Sequence, residues 1–344
     1  FNTRIRLLAE TDGIWRVELE RPEYEAHVGI SYTSREAAQR NIGDGGRDFD
    51  AIMASALHEW EQAMNRVQAT FCTEQEAVVF STALFHTMIA PMTFGNLGEE
   101  CEYTTFSLWD TYRASSPLST LLFPEMQPAI ARSMVGICDQ QGYLPVWHLM
   151  GGETNCMVGS PGVIVLADIV LKGFDVDRER CFQAIKSSLA EPGRGIPYMN
   201  EFGYVPCNLW TKETVAKTLE YGIAFWAGAR VAEMLGHTAE QRHWDWVAQA
   251  YRRIYDDRVG YFRGRRAVKD AGYKNYYHDT FRSLKDFNPC HQTEDYTEGN
   301  PWQYLFLVPH DVLGMVELLG GRERFMARLD SLFEAPSDLK DDAY

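Results

Sequence analysis

The stretch "VAKTLEYGIAFWAGARVAEMLGHTAEQRHWDWVAQAYRRIYD", residues 215–256, decides the fold class. Val215, Leu219, Ile223 and Trp226 recur at helical spacing, so residues 212–235 are expected to form a helix with one apolar side. Gly236 ends it, because glycine tolerates the positive φ of a helix C-cap. Thr238 and Gln241 then read as a capping box that opens a second helix, with Trp244, Val247, Ala248, Tyr251 and Tyr255 turned inward. Two long helices joined by so short a turn must lie antiparallel.

The same period recurs on both sides. Phe49, Ile52, Met53, Ala56, Leu57, Trp60 and Met64 form the stripe of a helix with one buried face, and Ala77, Phe80, Leu84, Phe85 and Met88 form another, closed by Pro91. Further helices are expected at 125–138, 162–172, 301–319 and 322–333, with Asn300 as cap and Pro301 in the first turn. Between them run long loops at 98–112, 140–160, 190–210 and 258–300, a length uncommon in compact domains unless the loops act. Helical hairpins with functional loops at one end fit a mainly α, (α/α) toroid. Before residue 48 the pattern changes: "LERPEYEAHVGISYTS" (19–34) alternates like the last strands of something that began earlier. Phe1 at one end and the polar "EAPSDLKDDAY" at the other suggest a fragment.

Composition narrows the function. The 344 residues are 45% hydrophobic and 13% aromatic, ample for a large core. A formal net charge of −15 with no Lys/Arg block argues against nucleic acid or an anionic membrane and suits a neutral substrate. No apolar run approaches the ~20 residues of a membrane span, and the chain reads as soluble. Seven scattered cysteines show no zinc spacing, and their odd number leaves at least one thiol free. No nucleophile elbow is present, "GDGGRDFD" (43–50) lacks the strand-turn-helix setting of a phosphate loop, and it lacks EF-hand spacing.

Rings and carboxylates concentrate in the loops. Trp109 adjoins Asp110 in "YTTFSLWDTYRASSP" (103–117), and Trp147, His148 and Glu153 lie together in "GYLPVWHLMGGETNCM" (142–157). A pyranose has apolar C–H faces and a rim of hydroxyls, so flat aromatic walls beside carboxylates suit it; each loop by itself reads equally as core rings with a capping Asp. Glu298 in "TEGNPWQY" precedes a capped helix start, where the helix dipole favours the ionised form. A general acid there needs burial, which Tyr296, Trp302 and Tyr304 would supply; the alternative is a capping or salt-bridge glutamate. His310 and Asp311 read as a helix start capped by its own side chains.

Four ordered blocks carry a resemblance. "YTTFSLWDTYRASSPL", "GYLPVWHLMGGETNCMVG", "VAKTLEYGIAFWAGARVAEMLG" and "YTEGNPWQYLFLVPHDVLGMVELLGG" resemble glycoside hydrolase family 92, the calcium-dependent exo-acting α-mannosidases, and the likeness runs from "HVGISYTSREAAQRNI" to "FMARLDSLF". It implies an N-terminal β-sandwich whose end is 1–33, a linker at 34–47, and an (α/α)6 barrel catalytic domain at 48–344 that is C-terminally truncated. It also implies removal of terminal α-linked mannose with inversion, from α-mannosides or mannose-rich N-glycans, with an α-1,2 preference expected. Glu298 matches the family's general acid; Trp109 and Asp110 match its terminal-mannose subsite, with Trp147, His148 and Glu153 nearby. The family's general base and calcium ligands lie in blocks beyond residue 344, so calcium is the implied cofactor with no ligand named here, and the chain is expected to hold half a mechanism. The resemblance implies a secreted or periplasmic protein. A trehalase-like or glucoamylase-like (α/α)6 glycosidase and a non-catalytic mannose-binding homologue are the competing readings.

Overall fold

The computed structural model describes residues 5–43, 48–100, 102–267, 280–285 and 287–335. The chain divides into two units, Phe1–Tyr103 and Thr104–Tyr344.

The first unit opens with an antiparallel hairpin of β1 (Ile5–Thr11) and β2 (Ile14–Leu19). Asp12 and Gly13 both take positive φ (52° and 76°), as a tight two-residue Asp-Gly turn requires. The small N-terminal strands thus lie within 1–33, as expected, but upstream of the alternating stretch 19–34. In residues 20–33 the alternation survives in burial, with Glu25, His27, Gly29 and Ser31 half-buried between exposed neighbours, but no strand forms there. α1 (Arg35–Asn41) follows in the segment read as a linker, its first turn capped by the Ser34 hydroxyl accepting from the Ala37 N–H. α2 (Phe49–Met64), capped by Asp48, and α3 (Glu74–His86), opened by a Thr73/Glu76 capping box, match the two expected helices, and β3 (Met92–Phe94) lies after Pro91. The expected buried face of α2 is not buried. Phe49, Ile52, Met53 and Leu57 are 47–65% exposed, and Trp60, 39% exposed, lies against the Phe85 ring of α3 at 4.7 Å. The stripe is apolar, but this unit offers too little surface to cover it.

After β4 (Glu102–Thr104), the second unit runs through β5 (Phe106–Ser107), α4 (Leu108–Thr111), α5 (Ser115–Leu122), α6 (Gln127–Gln141), β6 (Trp147–Leu149), β7 (Gly152–Glu153), α7 (Pro161–Leu171), α8 (Arg178–Ser188) and α9 (Ile196–Phe202) to α10 (Thr214–Leu235), α11 (Thr238–Ala248), α12 (Ala250–Ile254), β8 (Tyr255–Asp256), β9 (Tyr261–Phe262), α13 (Pro301–Tyr304), α14 (Val312–Leu318) and α15 (Arg322–Glu334). Helices dominate and the sheets are small.

α10 is the axis of this unit, packed on α7, α8, α11 and α12. It is buried almost all round rather than on one side, because small residues let neighbours approach from every direction. At Gly228 an added Cβ would stand 2.9 Å from Leu189 Cδ1 and 3.2 Å from Trp244 Cε3, so the glycine sets the helix spacing. Val215, Leu219 and Ile223 are buried as expected, whereas Trp226 is 37% exposed. Gly236 caps the helix at φ 81°, and α11 turns back along it. The expected Thr238/Gln241 box does not form. His237 is the cap residue and Thr238 the first helical one, so its hydroxyl turns back to the Gly236 carbonyl. The second helix also ends earlier: Tyr251 is buried within α12, while Tyr255 is half-buried in β8.

The helix expected over 301–319 is broken. α13 stops at Tyr304, Pro309 cannot supply an N–H to a continuing helix, and α14 restarts under Asp311, whose carboxylate accepts from the Gly314 N–H at 2.9 Å. The expected capped start at 310–311 is thus present through Asp311. α9, lying in a stretch expected to be loop, and α8 were not anticipated. The six cysteines among the described residues are free, and no helix among these residues is long and apolar enough to cross a membrane.

One buried ion pair fixes the β8–β9 hairpin. Asp256 (1% exposed) accepts from Arg263 Nη1 at 2.5 Å and Arg258 Nε at 2.8 Å, and Arg263 also donates to the carbonyls of Arg282 and Ser283. Burial pushes the Asp256 carboxyl up, but the hydrogen bonds from Arg258 and Arg263 outweigh it and hold the group below the ordinary aspartate range. A depressed folded value means the stabilisation is complete above the unfolded value of about 3.9 and lost as pH falls through the folded one. Asp256→Asn should cost about 3 kcal/mol at pH 7 by urea unfolding, and the gap from the parent should close as pH drops below the ordinary aspartate range. A gap that stays constant through that acid window would contradict this account.

Candidate active site

The aromatic and carboxylate blocks converge on the N-terminal half of α10. Trp109 packs against a core cluster that includes Val158, Val215, Leu219, Tyr296 and Tyr304, which brings all four blocks together.

Glu220 is the centre of that convergence. It lies on α10, 1% exposed, and its carboxylate accepts from Trp109 Nε1 at 3.1 Å, the Tyr112 hydroxyl at 2.7 Å and Arg113 Nη2 at 2.6 Å. Burial pushes this carboxyl up, opposed first by the Arg113 guanidinium. Burial, reinforced by Glu220, also raises the Tyr112 phenol far above its ordinary value. Gly159 closes the far side: it takes φ 85°, and a Cβ there would sit 2.8 Å from Glu220 Cβ.

β5, β6 and β7 form a small antiparallel sheet that sets the loop residues in register, Phe106 opposite His148, Ser107 opposite Trp147, and His148 opposite Glu153. Asp110 is exposed and accepts from the Ser107 hydroxyl. Trp109 and Trp147 are half-buried. His148 is 7% exposed, with Nδ1 3.3 Å from the Thr104 hydroxyl, and burial lowers its pKa. Glu153 accepts from the backbone N–H groups of Val146 (2.8 Å), Trp147 (3.0 Å) and Asn155 (2.8 Å), which occupies most of its accepting capacity and shapes the loop. Arg194 finishes that loop by donating to the carbonyls of Asn155, Met157 and Gly159. Asn155 and Met157 both hold positive φ, a conformation that persists only where surroundings enforce it.

Glu298 sits apart from this lattice of bonds, on an anchored turn. The Glu213 N–H donates to the Glu294 carbonyl (2.5 Å), and those of Val215 and Ala216 to the Asp295 carbonyl (3.0 and 3.1 Å), so the turn caps α10. Asp295 also accepts from the Thr214 hydroxyl at 2.7 Å. Thr297 donates to Glu213 Oε1 at 2.9 Å, while its carbonyl accepts from the Tyr304 hydroxyl at 2.6 Å. Beyond it, Asn300 and Gln303 make a reciprocal capping box. Between these anchors Glu298 has φ 46° and an exposed side chain. The expected burial among Tyr296, Trp302 and Tyr304 is not found, because Tyr296 turns its hydroxyl to the Phe262 carbonyl and Tyr304 to that of Thr297. Neither the capping role nor a salt bridge falls to Glu298: Asn300 is the cap, and no ion pair to Glu298 occurs among the described residues.

Residues 33–344 match the model of the glycosyl hydrolase family 92 catalytic domain. The chain belongs to glycosyl hydrolase family 92. A GH92 alpha-mannosidase from Bacteroides thetaiotaomicron superposes with a TM-score of 0.78 at 32% identity, covering 88% of this chain and 41% of that one. Its complex with mannoimidazole gives 0.80 at 31% identity over 91% and 42%. An inverting GH92 mannosidase of the same organism gives 0.76 at 30% identity over 91% and 44%. An uncharacterized secreted glycosidase of Arthroderma benhamiae is 24% identical, covering 97% of this chain and 44% of its own length. The chain thus spans less than half the length of these GH92 relatives and of the curated one. Its fold is that of the mainly helical GH92 catalytic domain, an (α/α)6 barrel, with small strands at the N-terminus.

Among the described residues no group of three or more His, Cys, Asp or Glu side chains is disposed to hold a metal ion. The calcium that the family implies is therefore given no ligand among these residues. The sequence reading missed Glu220, Glu213, Lys217 and Arg194. For Glu220 a signal existed: an acidic residue inside the apolar run "TLEYGIAF" needs a partner.

Proposed function

We propose that this GH92 chain carries the acid half of a mannosidase that removes terminal α-linked mannose, with Glu298 protonating the departing glycosidic oxygen. The observation that supports this most is the anchored turn. A general acid must be held against the bond it protonates while its carboxyl remains free to reach it. Glu298 meets both demands, being exposed between residues locked to α10 and α13, and the burial that an acid needs is assigned to the substrate and the sequence beyond Tyr344 that would cover it. Trp109 and Asp110, on the turn held by Glu220, are assigned to the terminal mannose, with Trp147 and His148 adjoining; Glu153 acts there by shaping the loop beneath them. The mannoimidazole complex of the Bacteroides relative favours a mannoside as the ligand.

An inverting displacement needs a second carboxylate roughly 6.5–9.5 Å from the acid, with a water between. That base and oxygen ligands for calcium are assigned to sequence beyond Tyr344, which the length of the relatives leaves room for. The preferred linkage is α-1,2, in free mannosides or N-glycans, and the protein is secreted, as the Arthroderma relative is described to be. Proton NMR of methyl α-1,2-mannobioside, whose leaving sugar is locked as methyl α-mannoside, with the protein extended past Tyr344 should show β-mannose as the first free sugar, with release stopping on chelation. First release of α-mannose, or hydrolysis of trehalose or maltose instead, would overturn this reading; mannose binding with no turnover would favour the non-catalytic homologue.

A further inference from the structure

Lys217 lies one helical turn beyond Glu213 on α10, and its surroundings are unusual for a lysine. The residue is 6% exposed, yet its ammonium makes no hydrogen bond among the described residues. The nearest carboxylate, Glu213 Oε2, is 3.8 Å away, too far for one. The Trp210 ring lies below the ammonium, with its centroid 5.4 Å from Nζ. Burial, with Arg194 adding to it, lowers the Lys217 pKa to about 8 against the opposing pull of Glu213. Its only charged partner among the described residues is thus a long one, and Nζ is not among the fully enclosed side-chain atoms that lack a partner, so it stays open to an acceptor arriving from outside.

We propose that Lys217 and Glu213 form a hydroxyl-binding subsite for the sugar ring that sits at Glu298. The inference rests on the mannosidase reading and adds to it a residue pair outside the assigned mannose contacts. Connectivity supplies the placement. One Glu213 oxygen accepts from Thr297, the residue before Glu298, and the other faces Lys217. The pair therefore stands beside the proposed acid and presents a donor and an acceptor together. That combination matches a neutral polyol: a hydroxyl can accept from Lys217 while donating to Glu213. An anion fits it poorly, because the Glu213 carboxylate already answers the lysine's charge.

The test uses the extended protein, with methyl α-mannoside as probe for calorimetric binding and α-1,2-mannobiose for kinetics. Lys217→Met keeps the side-chain volume and removes the donors. Its Kd and KM should rise about tenfold, as for the loss of one charge-assisted hydrogen bond, with a smaller change in kcat and an unchanged melting temperature. Lys217→Gln, which retains an N–H, should recover part of that loss. Unchanged mannoside affinity in Lys217→Met overturns the subsite, as does a fall in melting temperature in both variants with affinity intact, which marks a structural lysine. A parent protein that neither binds nor cleaves mannosides overturns the mannosidase reading, and the subsite with it.

Discussion

Replacing Glu220 with alanine should lower the stability of the chain by about 3–5 kcal/mol, read as a drop in the urea midpoint at unchanged slope. The carboxylate is the common acceptor for Trp109 Nε1, the Tyr112 hydroxyl and Arg113 Nη2, so its removal strands three donors at once. They do not suffer equally. The Arg113 side chain is 38% exposed and can turn to water, whereas Tyr112 is 8% exposed and cannot. The dominant costs are thus the stranded phenol and indole and the space vacated on a buried helix face. Glu220→Gln separates them. Its amide oxygen can still accept from Trp109 and Arg113, and its NH2 can donate to the tyrosine oxygen, so a loss of about 1–2 kcal/mol is expected. An alanine variant within about 1 kcal/mol of the parent would show that these contacts do not hold the Trp109 turn.

How far the sequence could reach is clear from that residue. The α10–α11 hairpin was legible because Gly236 and the apolar spacing are local signals, and local signals survive folding. The one-sided stripe on α10 was misread because alanine and glycine count weakly as apolar, yet Ala216, Ala224, Ala227, Gly228 and Ala229 are what allow burial from every direction. For the same reason Trp226, the largest apolar side chain of the set, was placed inside, although it is 37% exposed. The capping box at Thr238 failed by one residue of register, an error that spacing alone cannot detect. α8 was passed over although Asp177, which caps it, and Cys181, Phe182 and Ile185, which it buries, follow the helical rule; charged residues between them hid the stripe. At the site, residue types were legible and partners were not. Glu153 and Glu220 are both carboxylates in aromatic surroundings, but one is committed to backbone N–H groups and the other to side chains more than one hundred positions away. Only the fold shows that Glu298, unlike Asp110, Glu153 and Glu220, has no hydrogen-bond partner among the described residues.

That freedom leads to the largest effect expected on turnover. In the protein extended past Tyr344, Glu298→Gln should reduce cleavage of α-1,2-mannobiose by about 10²–10⁴-fold, the usual contribution of a positioned general acid. Binding of methyl α-mannoside should change little, because the amide keeps the size of the carboxyl. Stability should stay within about 0.5 kcal/mol, since the side chain is exposed and the anchors of the turn belong to Thr297, Asn300 and Tyr304. The leaving group supplies a further discrimination. An aryl mannoside whose phenol departs without protonation needs no acid, so the variant should cleave it at a rate much closer to that of the parent. Equal loss on both substrates would point to damage of the turn rather than of proton transfer, and near-normal turnover of mannobiose would remove Glu298 from the mechanism. The two substrates thus separate a carboxyl that donates a proton from one that merely completes the shape of the site.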